Sequence, residues 1–294
     1  MAIIPQTTAT TLWEAEHAGA ESAARRFGMQ TYWNAPTRGD DIQQQITLVD
    51  RAISRHSRGL ILAPDQPLAL MVPVREALRQ GIPTVIVGSS LPMPLGQGLS
   101  YIVNDDIATG QMAARHIGKL LAGEGRVAVL GIDPDSPGAL TILHAFETTL
   151  ERDFPKIAFV DRRTGSSNES EAQQAASESL AKDSHLNAIF TLTAIATRGA
   201  YLALHSRGLT SQVKLVGFEQ DLELMSLVRD GQINGLIAEN TYQMGYQAME
   251  LIARSRESGG TGEQIKLAPT LLTADNADSP DVQRLISMDW SRIP

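Results

Sequence analysis

The chain has 294 residues, 43% of them hydrophobic and 20% charged, enough to bury the cores of two domains rather than one. Its net charge of -8 argues against phosphate-backbone binding as its main task, and the absence of cysteine removes disulfides, thiol nucleophiles and thiolate metal sites together. No stretch approaches the roughly 18 consecutive apolar residues that a membrane-spanning helix needs.

The chain opens on a short apolar run, Ala2-Ile3-Ile4, which stops at Pro5 and gives way to the polar, small-residue segment from Gln6 to Thr11. Trp13 follows where a first helical turn would begin. The pattern predicts a strand emptying into a loop of hydrogen-bonding side chains with one large flat ring at hand. Such loops lie at the carboxyl end of a sheet, where open α/β folds bind small molecules. No basic, apolar leader of the secretory type precedes this strand, so either the protein stays inside the cell or a leader has been removed.

Further strand-like runs recur at Met29 to Trp33, Gly59 to Leu62, Thr84 to Val87, Tyr101 to Val103, Val127 to Leu130, Ala158 to Val160, Ala188 to Leu192, Lys214 to Val216 and Gly235 to Ala238. Between them the apolar residues take a helical period, as in Ile42, Ile46, Val49 and Ile53 or Ala113, Ile117 and Leu120. Asp40 and Asp41 stand where an N-cap belongs, and Gly28, Gly81 and Gly208 where helices should stop. Strand alternating with helix over this length predicts an α/β fold, with parallel sheets carrying helices on both faces. Pro92, Pro94, Gly96 and Gly98 interrupt the alternation, and the break is read as a crossing from one lobe to another. Beyond Thr273, Val282, Leu285 and Ile286 are placed to dock a short helix against a lobe, within a tail that also carries Asp275, Asp278, Pro280, Asp281 and Trp290.

Several segments together resemble the type I periplasmic solute-binding proteins, the superfamily that includes the effector domain of the lactose-repressor family. They are Ile4-Pro5-Gln6-Thr7-Thr8 with Trp13, His17, Ala18-Gly19-Ala20 and Phe27-Gly28; Gly59 to Pro64; Gly81-Ile82-Pro83; Asn104-Asp105-Asp106; Gly217-Phe218-Glu219; and Leu236 to Thr241 before Gly245. The likeness runs from Ile3 to about Thr273. It implies two doubly wound parallel-sheet lobes, residues 1–103 with 240–268 and residues 104–239 with 269–294, joined by a three-segment hinge near Asn104, Glu239 to Asn240, and Ala268 to Thr270. A ligand would lie in the cleft between the lobes, and closure would be a hinge motion.

The same resemblance implies the site residues. Trp13 would be a platform for the C-H face of a sugar, with Gln6 and Thr10 meeting its hydroxyls. Thr193, Glu219 and Glu239 each follow the end of a predicted strand, where side chains converge and carboxylates accept several hydrogen bonds at once. Ser89, Ser167 and Asn240 complete the expected set. Sugar-binding relatives often carry Asp-Arg where this chain has Gly88-Ser89, and a further arginine near Ile142. With both cations gone and two acids kept, the pocket suits a neutral polyol, an unusual sugar or even a cation better than an anion. His17, one turn after Trp13, would buttress it or the lobe edge.

Other motifs lead elsewhere only weakly. Arg38-Gly39-Asp40 is better explained by a helix cap than by adhesion, and Asn168-Glu169-Ser170 by an N-cap than by glycosylation. The acidic pairs Asp105-Asp106 and Asp133-Pro134-Asp135 lie where caps are expected. The six histidines have no paired ligand spacing, so no metal is expected; no cofactor is expected either, and no nucleophile elbow, Walker loop or dinucleotide fingerprint points to an enzyme.

The expectation is a monomeric, periplasmic solute-binding protein that delivers a small neutral carbohydrate or polyol to a membrane permease of the ATP-binding-cassette (ABC) class, with no nucleic-acid partner. The alternative is the ligand-sensing domain of a transcriptional repressor or membrane receptor. A repressor would need a DNA-reading module ahead of residue 1, where none is expected, and a receptor would need a membrane segment beyond either end.

Overall fold

The structure, a computed structural model, describes residues 1–8, 12–38, 41–166, 168–258, 262–280, 282 and 285. From the amino terminus the described elements are β1 (Ala2–Ile4), α1 (Leu12–Arg26), β2 (Tyr32–Trp33), α2 (Ile42–Ser54), β3 (Leu60–Leu62), α3 (Pro67–Arg79), β4 (Thr84–Gly88) and β5 (Leu99–Asn104). Next come α4 (Asp106–Leu120), β6 (Glu124–Ile132), α5 (Pro137–Asp153), β7 (Lys156–Thr164), α6 (Glu169–Lys182), β8 (Ala188–Thr191), α7 (Ala194–Ser206), β9 (Lys214–Phe218), α8 (Leu222–Arg229) and β10 (Gly235–Ala238). The series ends with α9 (Thr241–Ser258), β11 (Gln264–Leu267) and β12 (Thr270–Leu272).

The chain divides into two compact units. Unit 1 holds Met1–Asn104 and Asn240–Leu267, and unit 2 holds Asp105–Glu239 and Ala268–Ile286, so the chain passes between them three times. Residues 287–294, expected with the second lobe, lie outside the described residues, as do Asp40, Asp281 and Trp290.

Unit 1 is built on one parallel sheet in the order β11-β5-β4-β3-β1-β2. The two-residue period of its strands sorts the core onto two faces. Ile3, Ile61, Val85, Val87 and Ile102 pack with Ala20, Ala24, Ala248 and Ile252 of α1 and α9. Ala2, Ile4, Leu60, Leu62 and Ile86 pack with Val49, Ile53, Leu70 and Val74 of α2 and α3. A fully buried side chain of this size contributes roughly 1.5–3 kcal/mol. The inner strands β1, β3 and β4 are therefore almost wholly apolar rather than alternating.

Unit 2 repeats the plan in the order β12-β10-β9-β8-β6-β7, with β12 alone antiparallel to its neighbour. Val127, Val129, Phe190, Val216 and Ile237 face α4 and α5, while Ala128, Leu130, Ile189, Leu215 and Leu236 face α6, α7 and α8. Val282 is buried against that second cluster and Leu285 packs beside it, as the spacing of the tail predicts; Ile286 lies outside the described residues.

Two readings need correction. The Pro- and Gly-rich stretch from Pro92 to Gly98 is not a crossing between lobes, because β5, which follows it, pairs with β4 in the sheet of unit 1. The Tyr101 hydroxyl donates to the Met93 carbonyl at 2.7 Å and ties this loop back to its own sheet. The chain leaves unit 1 only after Asn104. At the start of α5 the cap is Ser136, whose Oγ accepts from the Ala139 N–H at 3.3 Å, rather than Asp133 or Asp135. Asp41, Asp105 and Asn168 do cap α2, α4 and α6. Gly28, Gly81 and Gly208 take φ of 61°, 73° and 65°, the left-handed conformation that ends a helix without the steric cost a side chain would bring.

Candidate functional site

In unit 1 the carboxyl edge of the sheet is held together by one buried amide. Gln45, on α2 and wholly inaccessible, donates from Nε2 to the carbonyls of Pro5 at 3.1 Å and Ala63 at 2.8 Å, and its Oε1 accepts from the Asp65 N–H at 3.0 Å. The loop after β1 and the loop after β3 are thereby fixed to the same helix. Gln6 adds a second tie, from its Nε2 to the Pro64 carbonyl at 3.1 Å. One of its two amide N–H groups is thereby engaged by the protein.

Trp13 lies in the first turn of α1, 6% exposed, with its ring in the cluster of Ile3, Val85 and Val87. Gly88, at φ 75°, ends β4 beneath it, and a Cβ there would stand 3.6 Å from the indole Cη2. Ser89 follows and is exposed. Thr10 and Ser167 lie outside the described residues. His17 stacks on Trp33 with ring centroids 4.8 Å apart and approaches Glu21 at 3.6 Å. Trp33 belongs to β2, the last strand of the sheet, so His17 packs at the lobe edge.

In unit 2 the carboxyl edge gathers acids. Thr193 caps α7, its Oγ1 accepting from the Ala196 N–H at 3.1 Å. Glu219 takes φ of 66°, a left-handed backbone that is costly for a residue with a side chain. Its N–H extends the sheet ladder to the Ile237 carbonyl at 3.1 Å, and its Oε2 accepts from the Ala194 N–H, at the start of α7, at 2.9 Å. A helix N-terminus favours a carboxylate in that place. The next side chain, Gln220, bonds the main chain of Glu239 twice, donating to its carbonyl at 2.7 Å and accepting from its N–H at 3.0 Å. Asp221 caps α8 and also bonds Arg198, which reaches Glu169 as well.

Burial raises the Glu239 carboxyl to about 8, and the charges of Glu219 and Asp106 push in the same direction. Glu219 is also raised, first by burial, against the opposing pull of the Ala194 N–H and Arg198. At neutral pH Glu239 is therefore mostly a neutral acid, able to donate one hydrogen bond and accept others. Arg198, the cation acting on Glu219, is itself engaged by two acids. Ile142 is buried in the core of unit 2. Asn240 begins the return to unit 1, and its Oδ1 accepts from the Gln243 N–H of α9 at 3.0 Å.

Gln45 and Gln220 are the residues that sequence reasoning missed. Each is a single polar letter whose partners are main-chain atoms 18 to 40 residues away, and nothing in local spacing reveals such bonds. Among the described residues no group of histidines and acids is arranged to hold a metal, and no helix is long and apolar enough to cross a membrane.

Comparison with known proteins gives the arrangement its place. The D-allose-binding periplasmic protein of Escherichia coli (strain K12) is 24% identical over 266 residues, covering 88% of this chain and 85% of its own length. The D-apiose import binding protein of Paraburkholderia graminis is 24% identical over 285 residues, covering 96% and 89%. The crystal structure of a sugar ABC transporter sugar-binding protein from Bacillus halodurans superposes with a TM-score of 0.89 at 24% identity, covering 95% of this chain and 98% of that one. The family described as periplasmic binding protein domain matches residues 1–259. The two α/β units and the match over most of the sequence agree, and the chain belongs to the periplasmic binding protein family.

Proposed function

We propose that the protein captures a small neutral carbohydrate or polyol in the periplasm, using side chains at the carboxyl edges of both units, and passes it to a membrane importer of the ABC class. It carries out no catalysis. The observation that supports this reading most is the acid pair of unit 2: Glu219, held by its left-handed backbone and a helix N-terminus, beside Glu239, raised to about 8. One carboxyl that accepts and one that both donates and accepts suit adjacent hydroxyls, while Arg198 is already engaged by Glu169 and Asp221 and so does little to favour an anion. Sugar-binding relatives over nearly the full chain support the same class of ligand.

Gln6, Thr10, Trp13 and Ser89 would act from unit 1, with Ser167, Thr193, Glu219 and Glu239 from unit 2 and Asn240 where the chain returns to unit 1. A micromolar affinity corresponds to about -8.2 kcal/mol, within reach of one stacked sugar face and several buried hydrogen bonds after ordering costs. Calorimetric titration with a panel of neutral sugars and polyols that includes D-allose, D-apiose and D-arabinose tests the proposal. Heat from at least one of them is expected. Trp13→Ala should weaken that binding about tenfold or more, a loss of about 1.4 kcal/mol. Silence across the whole panel would refute the reading.

A further inference from the structure

We propose that Gln220 is a positioning residue for ligand capture: its carboxamide fixes the main chain on both sides of the Glu239 Cα and so aims the Glu239 side chain, a role that rests on the sugar-binding function proposed above. The argument begins where the sheet runs out. β9 and β10 pair through Gly235 with Val216, Leu236 with Gly217 and Ile237 with Phe218. One more rung follows, from the Glu219 N–H to the Ile237 carbonyl. Beyond it the backbone of Glu219 turns to φ 66° and can no longer present a peptide to β10.

The Gln220 side chain takes over at that point. A carboxamide offers N–H donors and a C=O acceptor, as a peptide does, and here one of each goes to a single residue, at 2.7 Å and 3.0 Å. Two bonds to the peptide groups on either side of one Cα fix its position and the direction of its side chain together. Glu239 needs that support, because it lies beyond the last residue of β10 and is the residue at which the chain leaves unit 2. The neighbours of Gln220 have their own tasks, Glu219 on the start of α7 and Asp221 as the cap of α8, so the clamp stands on a rigid turn. A group held at one end by such a turn loses little freedom when a ligand arrives, and the affinity is correspondingly higher.

Gln220 is half-buried and bonds only main-chain atoms of a strand end, so its loss should scarcely alter folding. The test uses the tightest-binding sugar of the panel above, the full chain and two variants. Gln220→Met keeps the length and loses both bonds; it should bind about tenfold more weakly, melt within about 2 °C of the unaltered protein, and exchange the Glu239 amide hydrogen faster without any sugar present. Gln220→Glu separates aiming from mere structure. Its ionised carboxylate cannot donate to the Glu239 carbonyl, whereas its protonated form donates and accepts as the amide does.

Glu219 and Asp106 act on the Glu239 carboxyl, which titrates in its own right, so each affinity is read as a ratio to the unaltered protein at the same pH. The deficit of Gln220→Glu should be about tenfold near pH 8.5 and shrink to about twofold near pH 5, where a carboxyl among acids is protonated. A deficit equal at both pH values, or full affinity in Gln220→Met, would overturn the proposal while leaving the sugar-binding reading intact. An unaltered protein that binds no sugar of the panel would overturn both.

Discussion

Glu16 is the residue whose physical chemistry is hardest to reconcile with its surroundings. It lies in α1, 1% exposed, and neither carboxyl oxygen has a hydrogen-bond partner among the described residues. Burial alone raises its pKa from 4.5 to about 8. A carboxyl whose folded value lies above its unfolded one binds its proton more tightly in the native state. Its contribution is then fully present below about pH 4.5 and lost progressively as pH rises toward about 8. The protein should therefore be less stable at pH 8 than at pH 5 by on the order of a few kcal/mol through this group. Glu16→Met, which fills the same space without a proton to lose, should flatten that slope and raise the melting temperature at pH 8. Thermal unfolding of both proteins across this range checks it, and parallel slopes would mean that Glu16 is solvated or paired in solution.

At the scale of elements, α1 and α9 approach more closely than side chains would permit. A Cβ on Gly19 would stand 1.9 Å from the Tyr242 carbonyl oxygen, and one on Gly245 would stand 1.9 Å from that of Glu16. Both obstacles are backbone, which cannot swing aside. Gly245→Ala should cost about 3 kcal/mol or more in urea unfolding, because the helices must separate along their whole contact. Gly231→Ala meets no atom within 4 Å and faces only its φ of 68°, so it should cost about 1 kcal/mol.

The sequence carried Gly19 and Gly245 as bare letters. Their meaning lies in a contact between segments more than 200 residues apart, which no local pattern encodes. Strands such as β10 were legible because Gly235 to Ala238 is apolar between breakers, and α2 was legible from its period and its Asp41 cap. β11 and β12 were not, since Gln264–Leu267 is half exposed and Thr270–Leu272 is three residues long. Both gain their pairing only from a sheet already assembled. The candidate site divides the same way. The acids Glu219 and Glu239 stand out because they follow predicted strands, whereas the carboxamides of Gln45 and Gln220 that hold those edges do not.

The molecule as a whole consists of two units, each with a sheet between two apolar layers, linked by three passages of one chain. Each unit has the core of an independent domain, so heating should unfold them in two overlapping steps rather than one. A ligand that binds only the native state adds RT ln(1 + [L]/Kd), about 2.7 kcal/mol at a hundredfold excess over Kd. Where that energy appears depends on which unit supplies the contacts. If the ligand drew on unit 1 alone, only one step would move. If Trp13 and the acids of unit 2 both bind it, neither unit can unfold without releasing it, and both steps should rise by several degrees and draw together. Scanning calorimetry with and without the tightest-binding sugar distinguishes these cases. Glu219→Ala supplies the control: with the contribution of unit 2 cut, the two steps should separate again at the same sugar concentration.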